Sequence, residues 1–401
     1  MKILFAQNAQ GIGGSENYLL RLLPALQERG HEVAFAGVHN TRAQGSATEV
    51  DLWMQGFRDQ NVPVFFRKTQ SYLDPSVPWW LWRQFRSGVA QQKPFDLLHT
   101  HLIYADFWAA CIRALVGNRC PVVSTVHGYE ERILERFVLE PERVPHNLYW
   151  QVFNATRRFL PCTYSCSAGL RDFYAQAGIR GAAKWPVVEH GFDFPGVRPA
   201  PDPNCRLGTP QIAVIGRLIK RKGVPLALEA MQQLLPIYPG IRLVVVGSGP
   251  EQEALRRRAN ELGLSNHVHF QGFDPDPIRW MLASDLVLVP SYAEGLPLVI
   301  FEAFFAQKPV VAFDTIGCRD LIQNGETGIL APSFKVEGLV TAIRSILAND
   351  STSNRLVLSA HYRLFEFYTL KRMVDQTESM YNLLLRKQSL NANSDSFSRT
   401  V

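Results

Sequence analysis

Two apolar patterns alternate along the chain. Short runs rich in aliphatic and β-branched residues have the length and composition of buried strands: KILFA at Lys2–Ala6, EVAFAGV, PFDLLHTH, PVVSTVHG, and later QIAVIG, IRLVVVG, HVHFQGF, ASDLVLV and KPVVAF. Between them, runs such as ENYLLRLLPALQERG, LIYADFWAACIRAL, SAGLRDFYAQAG, VPLALEAMQQLLP and LVIFEAFFA space their apolar residues three and four apart, as helices do. Regular alternation of this kind predicts the α/β class, with parallel sheets and right-handed crossovers. It is broken at FPGVRPAPDPNCRLGTP, which is dense in proline and glycine and reads as a linker. We therefore expect a first domain over 1–195, a linker over 196–209 and a second domain over 210–363. Two such halves imply a cleft between them, a common place for a ligand.

Other stretches are less periodic. Asn40–Lys93 is hard to parse. Within it, PWWLWRQFR sets Trp79, Trp80 and Trp82 beside Arg83 and Arg86. Such a mixture can lie at a membrane interface, but a helix packed on the core with arginines at its rim is the preferred reading. ERILERFVLEPERVPHNLYWQVFNATRRFLP is expected to be mostly helical. GLVTAIRSIL and LFEFYTLKRMVDQTESMYNLLL should close the chain as helices, with the polar tail over 386–401 frayed.

Composition narrows the function classes. The chain has 401 residues, 46% hydrophobic and 19% charged, which suits two or three globular domains. No run approaches the roughly 20 apolar residues of a membrane span. MKILFAQNAQ is too short in apolar residues for a signal-peptide core, so a cytoplasmic location is expected. Cys162 and Cys166 have the wrong spacing for a Cys-x-x-Cys pair, and the six cysteines are expected to be reduced. The net charge of +6 favours anionic partners such as phosphates or an anionic membrane surface, without the clustered basic helix of a nucleic-acid binder.

Candidate chemistry concentrates at strand ends. QNAQGIGG follows the first strand and carries Gly11, Gly13 and Gly14, with Ser15 as an expected helix cap; the complete G-x-G-x-x-G fingerprint is missing. His99 and His101 share a strand face, but no third ligand can be named and a metal is rejected. PVVSTVHG delivers His127 to the ligand edge of the sheet. In the second half, Arg217 and Lys222 share one strand-to-helix loop and can grip a single anion. Glu294 and Glu302 are separated by seven residues across a strand–loop–helix unit in which Pro297 is expected to open the helix. Glu302 sits within Ile300, Phe301, Ala303, Phe304 and Phe305, where a carboxylate needs a partner or a ligand hydroxyl. Free amides around Leu298 and Val299 also favour an anion. The expected ligand is thus a nucleoside diphosphate with a ribose for Glu302 and an attached sugar for Glu294. Asp274-Pro275-Asp276 fits a D-x-D metal pattern but reads as a turn.

These motifs resemble a known family. Glu294-GLPLVIF-Glu302, together with GRLIKRKG, VVGSGPE, ASDLVLVPSYAEG and NGETGIL in that order, is similar to the retaining glycosyltransferases of family 4, and the likeness covers nearly the whole chain. The resemblance implies the GT-B fold, two Rossmann-like domains facing across a cleft, with a last helix near 364–385 packing back on the first domain. It implies a nucleoside-diphosphate sugar donor, UDP- or GDP-linked, no required cofactor and no metal. Arg217 and Lys222 would bind the diphosphate, Glu302 the ribose, and Glu294 with Gly295 the sugar. The Leu298 and Val299 amides and Gly247 would lie against the donor, Gly13 and Gly14 would approach it from the first domain, and His127 would stand near the transferred sugar. The first domain would hold a saccharide or lipid-linked acceptor, as in envelope or extracellular polysaccharide synthesis, with peripheral contact at the inner membrane face. Two departures stand out: His190-Gly191-Phe192-Asp193 replaces the usual Asn-Gly-Val-Asp, and Asp320 replaces a glutamate. A glycoside hydrolase would not need Arg217 or Lys222. A two-lobed sugar-binding protein of the periplasmic kind would carry an export signal, and an oxidoreductase would need the missing fingerprint.

Overall fold

A strand covered on both faces must be apolar at successive positions, and its alternating side chains then feed two separate cores. The computed structural model of the chain shows this arrangement twice. It describes residues 1–9, 13–42, 47–89, 93–129, 147–160, 162–195, 197–332 and 334–397, apart from the side chains of 118 and 387–397. The chain divides into two compact units, Met1–Phe192 with Leu370–Val401, and Asp193–Thr369.

In the first unit the order is β1 Lys2–Ala9, α1 Gly14–Glu28, β2 Glu32–Asn40, α2 Ala47–Asp59, β3 Val64–Thr69, α3 Ser76–Ser87, β4 Leu97–His101, α4 Leu102–Val116, β5 Val122–Val126, α5 Leu148–Thr156, β6 Cys162–Ser165 and α6 Ala168–Gln176. The strands are parallel in the order β3-β2-β1-β4-β5-β6. Ile3 and Phe5 point to one core with Leu22, Trp53 and Phe57, while Leu4 and Ala6 point to the other with Leu81, Phe85 and Trp108.

The second unit holds β7 Gln211–Ile215, α7 Val224–Leu234, β8 Arg242–Val246, α8 Gln252–Glu261, β9 Val268–Gly272, α9 Ile278–Leu282, β10 Leu286–Val289, α10 Leu298–Phe305, β11 Val310–Phe313, α11 Ile316–Leu321, β12 Ile329–Ala331, α12 Val336–Leu347 and α13 Asp350–Phe367. Its order, β12-β11-β10-β7-β8-β9, is the first sheet's order repeated. Each is the doubly wound arrangement, with the winding reversing between β1 and β4 and between β7 and β10. The final helix, α14 Leu370–Phe397, returns to the first unit and packs along α1, where Arg29 meets Asp375 at 2.7 Å.

The structure departs from the sequence reading in several places. Asn40–Lys93 contains α2, the edge strand β3 and α3. α3 turns Val77, Leu81 and Phe85 inward and leaves Arg83 and Arg86 exposed, as the core-packed reading expected. Ser15 does not cap α1. Gly13 is the N-cap, and the Ser15 hydroxyl donates to Glu16 at 2.9 Å. The terminal helical stretch is two helices, because the chain bends at Tyr368 and the Leu370 amide then donates to the Phe192 carbonyl. α14 also continues to Phe397, past the expected fraying point, since no proline or glycine follows Leu370 to stop it. The expected helical stretch after Tyr129 falls over 130–146, outside the described residues; it re-enters at α5, where the Asn147 side chain accepts from the Trp150 amide at 2.9 Å. Among the described residues no helix is long and apolar enough to cross a membrane, and the six cysteines are free thiols.

Candidate active site

In sheets wound this way, ligands bind beyond the carboxyl ends of the strands at the reversal. In the second unit this places the loops after β7 and β10 side by side, and glycines let them touch. Gly223 has φ 65°, and a Cβ there would lie 1.9 Å from the Pro290 carbonyl oxygen. Gly247, at the end of β8, has φ 139°, and its Cβ would lie 2.0 Å from the Gly216 oxygen. Both are conformations and approaches that only glycine supports. The Tyr292 amide donates to the Arg221 carbonyl at 2.8 Å, lacing the two loops together.

Charged side chains meet on this frame. Lys222 Nζ donates to Glu294 Oε1 at 2.7 Å. Arg221 Nη1 donates to the Ala293 carbonyl at 2.6 Å and reaches Glu294 Oε2 at 3.3 Å. Glu294 is 5% exposed. Burial pushes its carboxyl up, but the Lys222 and Arg221 charges and hydrogen bonds from Lys222 and Ser291 outweigh that and bring it down to about 2. Arg217 is exposed and makes no side-chain hydrogen bond or ion pair with a described residue. It lines one crevice with Gly216, Lys222, Pro290, Ser291 and Val299. Pro297 is the N-cap of α10 rather than its first helical residue. The Leu298 and Val299 amides fall among the first four of the helix, which have no acceptor within it. Glu302 is half-buried one turn further on, between buried Phe301 and Ala303.

Arg217, Lys222, Glu294, Val299 and the Gly247 backbone thus share one edge. Lys222 and Glu294, to which the sequence reading assigned separate tasks, are direct partners here. An ammonium has three N–H donors, so two remain on Lys222. Arg221 was missed, although it lies inside the KRK string and its role depends on the fold bringing Ala293 beside it. Asp274 spends its carboxylate on Arg279, Trp280 and the Asp276 amide, which makes Asp274–Asp276 a pinned turn.

The first unit's edge is built from aromatic and imidazole rings. His99 and His101 share a strand face, with ring centroids 4.2 Å apart. His99 bonds Tyr381 at 2.8 Å and Thr125 at 2.7 Å. His101 Nδ1 meets His127 Nε2 at 2.7 Å, and His127 Nδ1 meets His190 Nε2 at 3.3 Å. Burial pushes the His127 imidazole down to about 3, so it is neutral near pH 7. Tyr18 of α1 packs its ring on His127 and His190 at 4.8 and 4.7 Å. Among the described residues no group of three His, Cys, Asp or Glu side chains is suited to a metal. Gly13 and Gly14 open α1 in this unit, and Gly11 lies outside the described residues. The chain gives no local sign that His101 and His190 join His127, and His190 stands out in it only as a departure from Asn-Gly-Val-Asp.

Residues 12–195 match the family model Glycosyltransferase Family 4, and residues 201–361 match Glycosyl transferases group 1. The glycogen synthase of Mycobacterium tuberculosis is 26% identical over 314 residues, 75% of this chain and 69% of that protein. The phosphatidyl-myo-inositol mannosyltransferase of Mycolicibacterium smegmatis is 25% identical over 361 residues, 88% of this chain and 86% of its own length. Anabaena HepE, solved in complex with UDP and glucose, superimposes with a TM-score of 0.77 at 21% identity, covering 95% of this chain and 99% of that one. With one family model spanning most of the first unit and the other most of the second, on two doubly wound sheets, the chain belongs to the GT-B glycosyltransferases of family 4, group 1.

Proposed function

We propose that the protein transfers a sugar, with retention, from a nucleoside-diphosphate sugar to a hydroxyl of a saccharide or lipid-linked acceptor. The observation that carries this reading is the edge between β7 and β10, where Arg217, Lys222 and the amino terminus of α10 are three sources of positive potential on glycine-tightened loops. Arg217, the two remaining Lys222 donors and the Leu298 and Val299 amides take the diphosphate. Glu302 takes the ribose. Glu294 and Gly295 meet the sugar, with Gly247 keeping the neighbouring loop close. In the first unit, which takes the acceptor, Gly13 and Gly14 present bare backbone to the donor and neutral His127 serves the sugar.

Transfer needs the diphosphate to leave with its charge neutralised, which these groups supply without a metal. Retention follows if the departing phosphate oxygen takes the acceptor proton as the acceptor attacks on the same face. Glycoside hydrolysis is disfavoured, because its general acid needs a raised carboxyl pKa and Glu294 is held at about 2. UDP is the donor base favoured by the HepE complex with UDP and glucose. A cytoplasmic place in envelope or extracellular polysaccharide synthesis, with the exposed tryptophan and arginines of α3 resting on an anionic membrane face, completes the reading.

The test is nucleotide release from UDP-, GDP- and ADP-sugars with and without candidate acceptors. Arg217→Ala and Lys222→Ala should each lower turnover about a hundredfold or more, the scale of losing one preorganised charge donor. Folded variants that both turn over at near-normal rates would refute the diphosphate assignment.

A further inference from the structure

Both ring nitrogens of His127 are engaged within the protein, by His101 on one side and His190 on the other. We propose that His101 and His190 are positioning residues for His127, and that the three imidazoles form one head-to-tail file that fixes its tautomer and ring orientation. This rests on the reading above, in which His127 serves the sugar.

The geometry sets the rule of the file. A neutral imidazole has one N–H and one lone pair, so each contact must join a donor nitrogen to an acceptor nitrogen. The contacts run His101 Nδ1 to His127 Nε2 and His127 Nδ1 to His190 Nε2. With three neutral rings only two arrangements satisfy both: every ring carries its proton on Nδ1, or every ring carries it on Nε2. His127 therefore cannot choose its tautomer alone. The ends of the file, His101 Nε2 and His190 Nδ1, are buried atoms without a partner among the described residues. They are the atoms through which a hydroxyl donor or acceptor would select one arrangement for all three rings.

The surroundings hold the file rigid and uncharged. His101 is 0% and His190 4% exposed, and burial is the chief cause that lowers both. The groups facing it are Tyr18 on α1, His99 on β4 and the Cys166 thiol, which donates to the His127 carbonyl at 3.4 Å; Arg21 on α1 adds a positive charge that disfavours protonation of His190. Among the described residues, no carboxylate offsets the burial of these three rings. The backbone beside it is constrained: Leu102, directly after His101, has φ 68°, a left-handed conformation uncommon for a bulky residue. His190 stands where the family pattern has asparagine, so this third ring is a feature of the present sequence.

The test uses the full chain with ¹⁵N-labelled histidine. Long-range ¹⁵N–¹H spectra of the unaltered protein should show the three rings neutral from pH 8 to 5 and in one shared tautomer. Mixed tautomers, or a ring titrating near 6.5, would overturn the file whether or not the protein transfers sugar. Kinetics then test its consequence. His190→Ala should lower kcat roughly tenfold with the donor KM little changed, the scale of a site ring no longer held in its productive orientation. His190→Asn, whose amide can still meet His127 Nδ1, should recover most of the loss. An alanine variant within twofold of the parent kcat, or an asparagine variant as poor as alanine, would show that His190 serves only as packing for Tyr18.

Discussion

The two sheets have one strand order but arm their carboxyl edges in opposite ways. The first carries neutral polar rings directly on its strands and the segments beside them: His99, His101, His127 and His190, with Tyr18, Tyr164 and Tyr381 behind. The second carries ions on its loops, with Lys222 and Arg221 around Glu294. The difference follows from desolvation. Neutral rings can sit at 0% exposure with a single nitrogen partnered, whereas a charge there needs a counter-ion and some water. The Lys222 and Arg221 side chains accordingly stay 19% and 14% exposed. An ion pair buried to 1–2% in the first unit, Arg157 with Asp106, is surrounded by the hydroxyls of Thr100 and Ser124 as well. Fold topology selects where a site forms, and the depth of the side chains selects whether it works with charge or with neutral hydrogen bonds.

Acid should separate the two edges most sharply. The buried imidazoles of the first unit are depressed below their ordinary value of 6.5, His127 to about 3. Below pH 6.5 the unfolded chain therefore binds protons that the folded unit refuses, and stability falls as pH falls. His127 alone accounts for about 2 kcal/mol at pH 5, and the other three rings act in the same direction. Glu294 contributes stability above its ordinary 4.5 that is lost only as pH falls towards about 2. Between pH 6.5 and 5 the first unit should weaken while the Glu294 cluster holds. Amide hydrogen exchange in β4 and β5 should accelerate well before that in β7 and β10. If β7 and β10 open first, the contrast between the edges is wrong.

A smaller effect should come from removing the one carboxylate that organises the charged edge. Glu294→Ala leaves Lys222 and Arg221 close together without their counter-ion and removes the two carboxylate contacts between the loops, while Tyr292–Arg221 and Arg221–Ala293 remain. Both cations can still reach water, so a loss of about 1–3 kcal/mol is expected in urea unfolding, on the scale of a hydrogen-bonded charged group. Glu294→Gln keeps the shape and should lose less stability, yet turnover should fall in both if the sugar needs the carboxylate. Full activity in the glutamine variant would remove Glu294 from the sugar site and leave it as the loops' tie.

Much of this was legible in the chain. Runs such as LVVV and LVLV name buried parallel strands because every position is apolar, and the glycines after them mark where loops must touch. Arg217 and Lys222 were legible as an anion grip because they share one loop. What was hidden depends on pairing across distance. Nothing local says that Lys222 will meet Glu294, 72 residues on, or that Arg221 will hold the Ala293 carbonyl. His127 could be placed at the ligand edge but not paired, because its two partners come from β4 and from the segment after β6, 26 and 63 residues away. The edge strand β3, VFFRKT, escaped because a half-buried strand lacks the continuous apolar run of a central one.

The smallest expected effect asks where the first unit keeps its charge. Its edge is neutral, but α3 presents Arg83 and Arg86 outward, with Trp79 68% exposed beside them. The face of α3 that stabilises the fold is Val77, Leu81 and Phe85, all buried. Trp79→Ala touches none of these, so it should change unfolding free energy by no more than about 0.5 kcal/mol, the range of surface substitutions. If this helix rests on an anionic membrane, the same variant should weaken sedimentation with phosphatidylglycerol vesicles at low salt. Arg83→Ala with Arg86→Ala should weaken it further and flatten its salt dependence, since the arginines supply the screened part of the attraction. A stability loss above 1 kcal/mol would mean that Trp79 packs on the unit rather than facing outward. Unchanged vesicle binding in all variants would leave the first unit's outer charge without a membrane role, and the contrast between its neutral edge and the charged edge of the second unit would then concern the sugar chemistry alone.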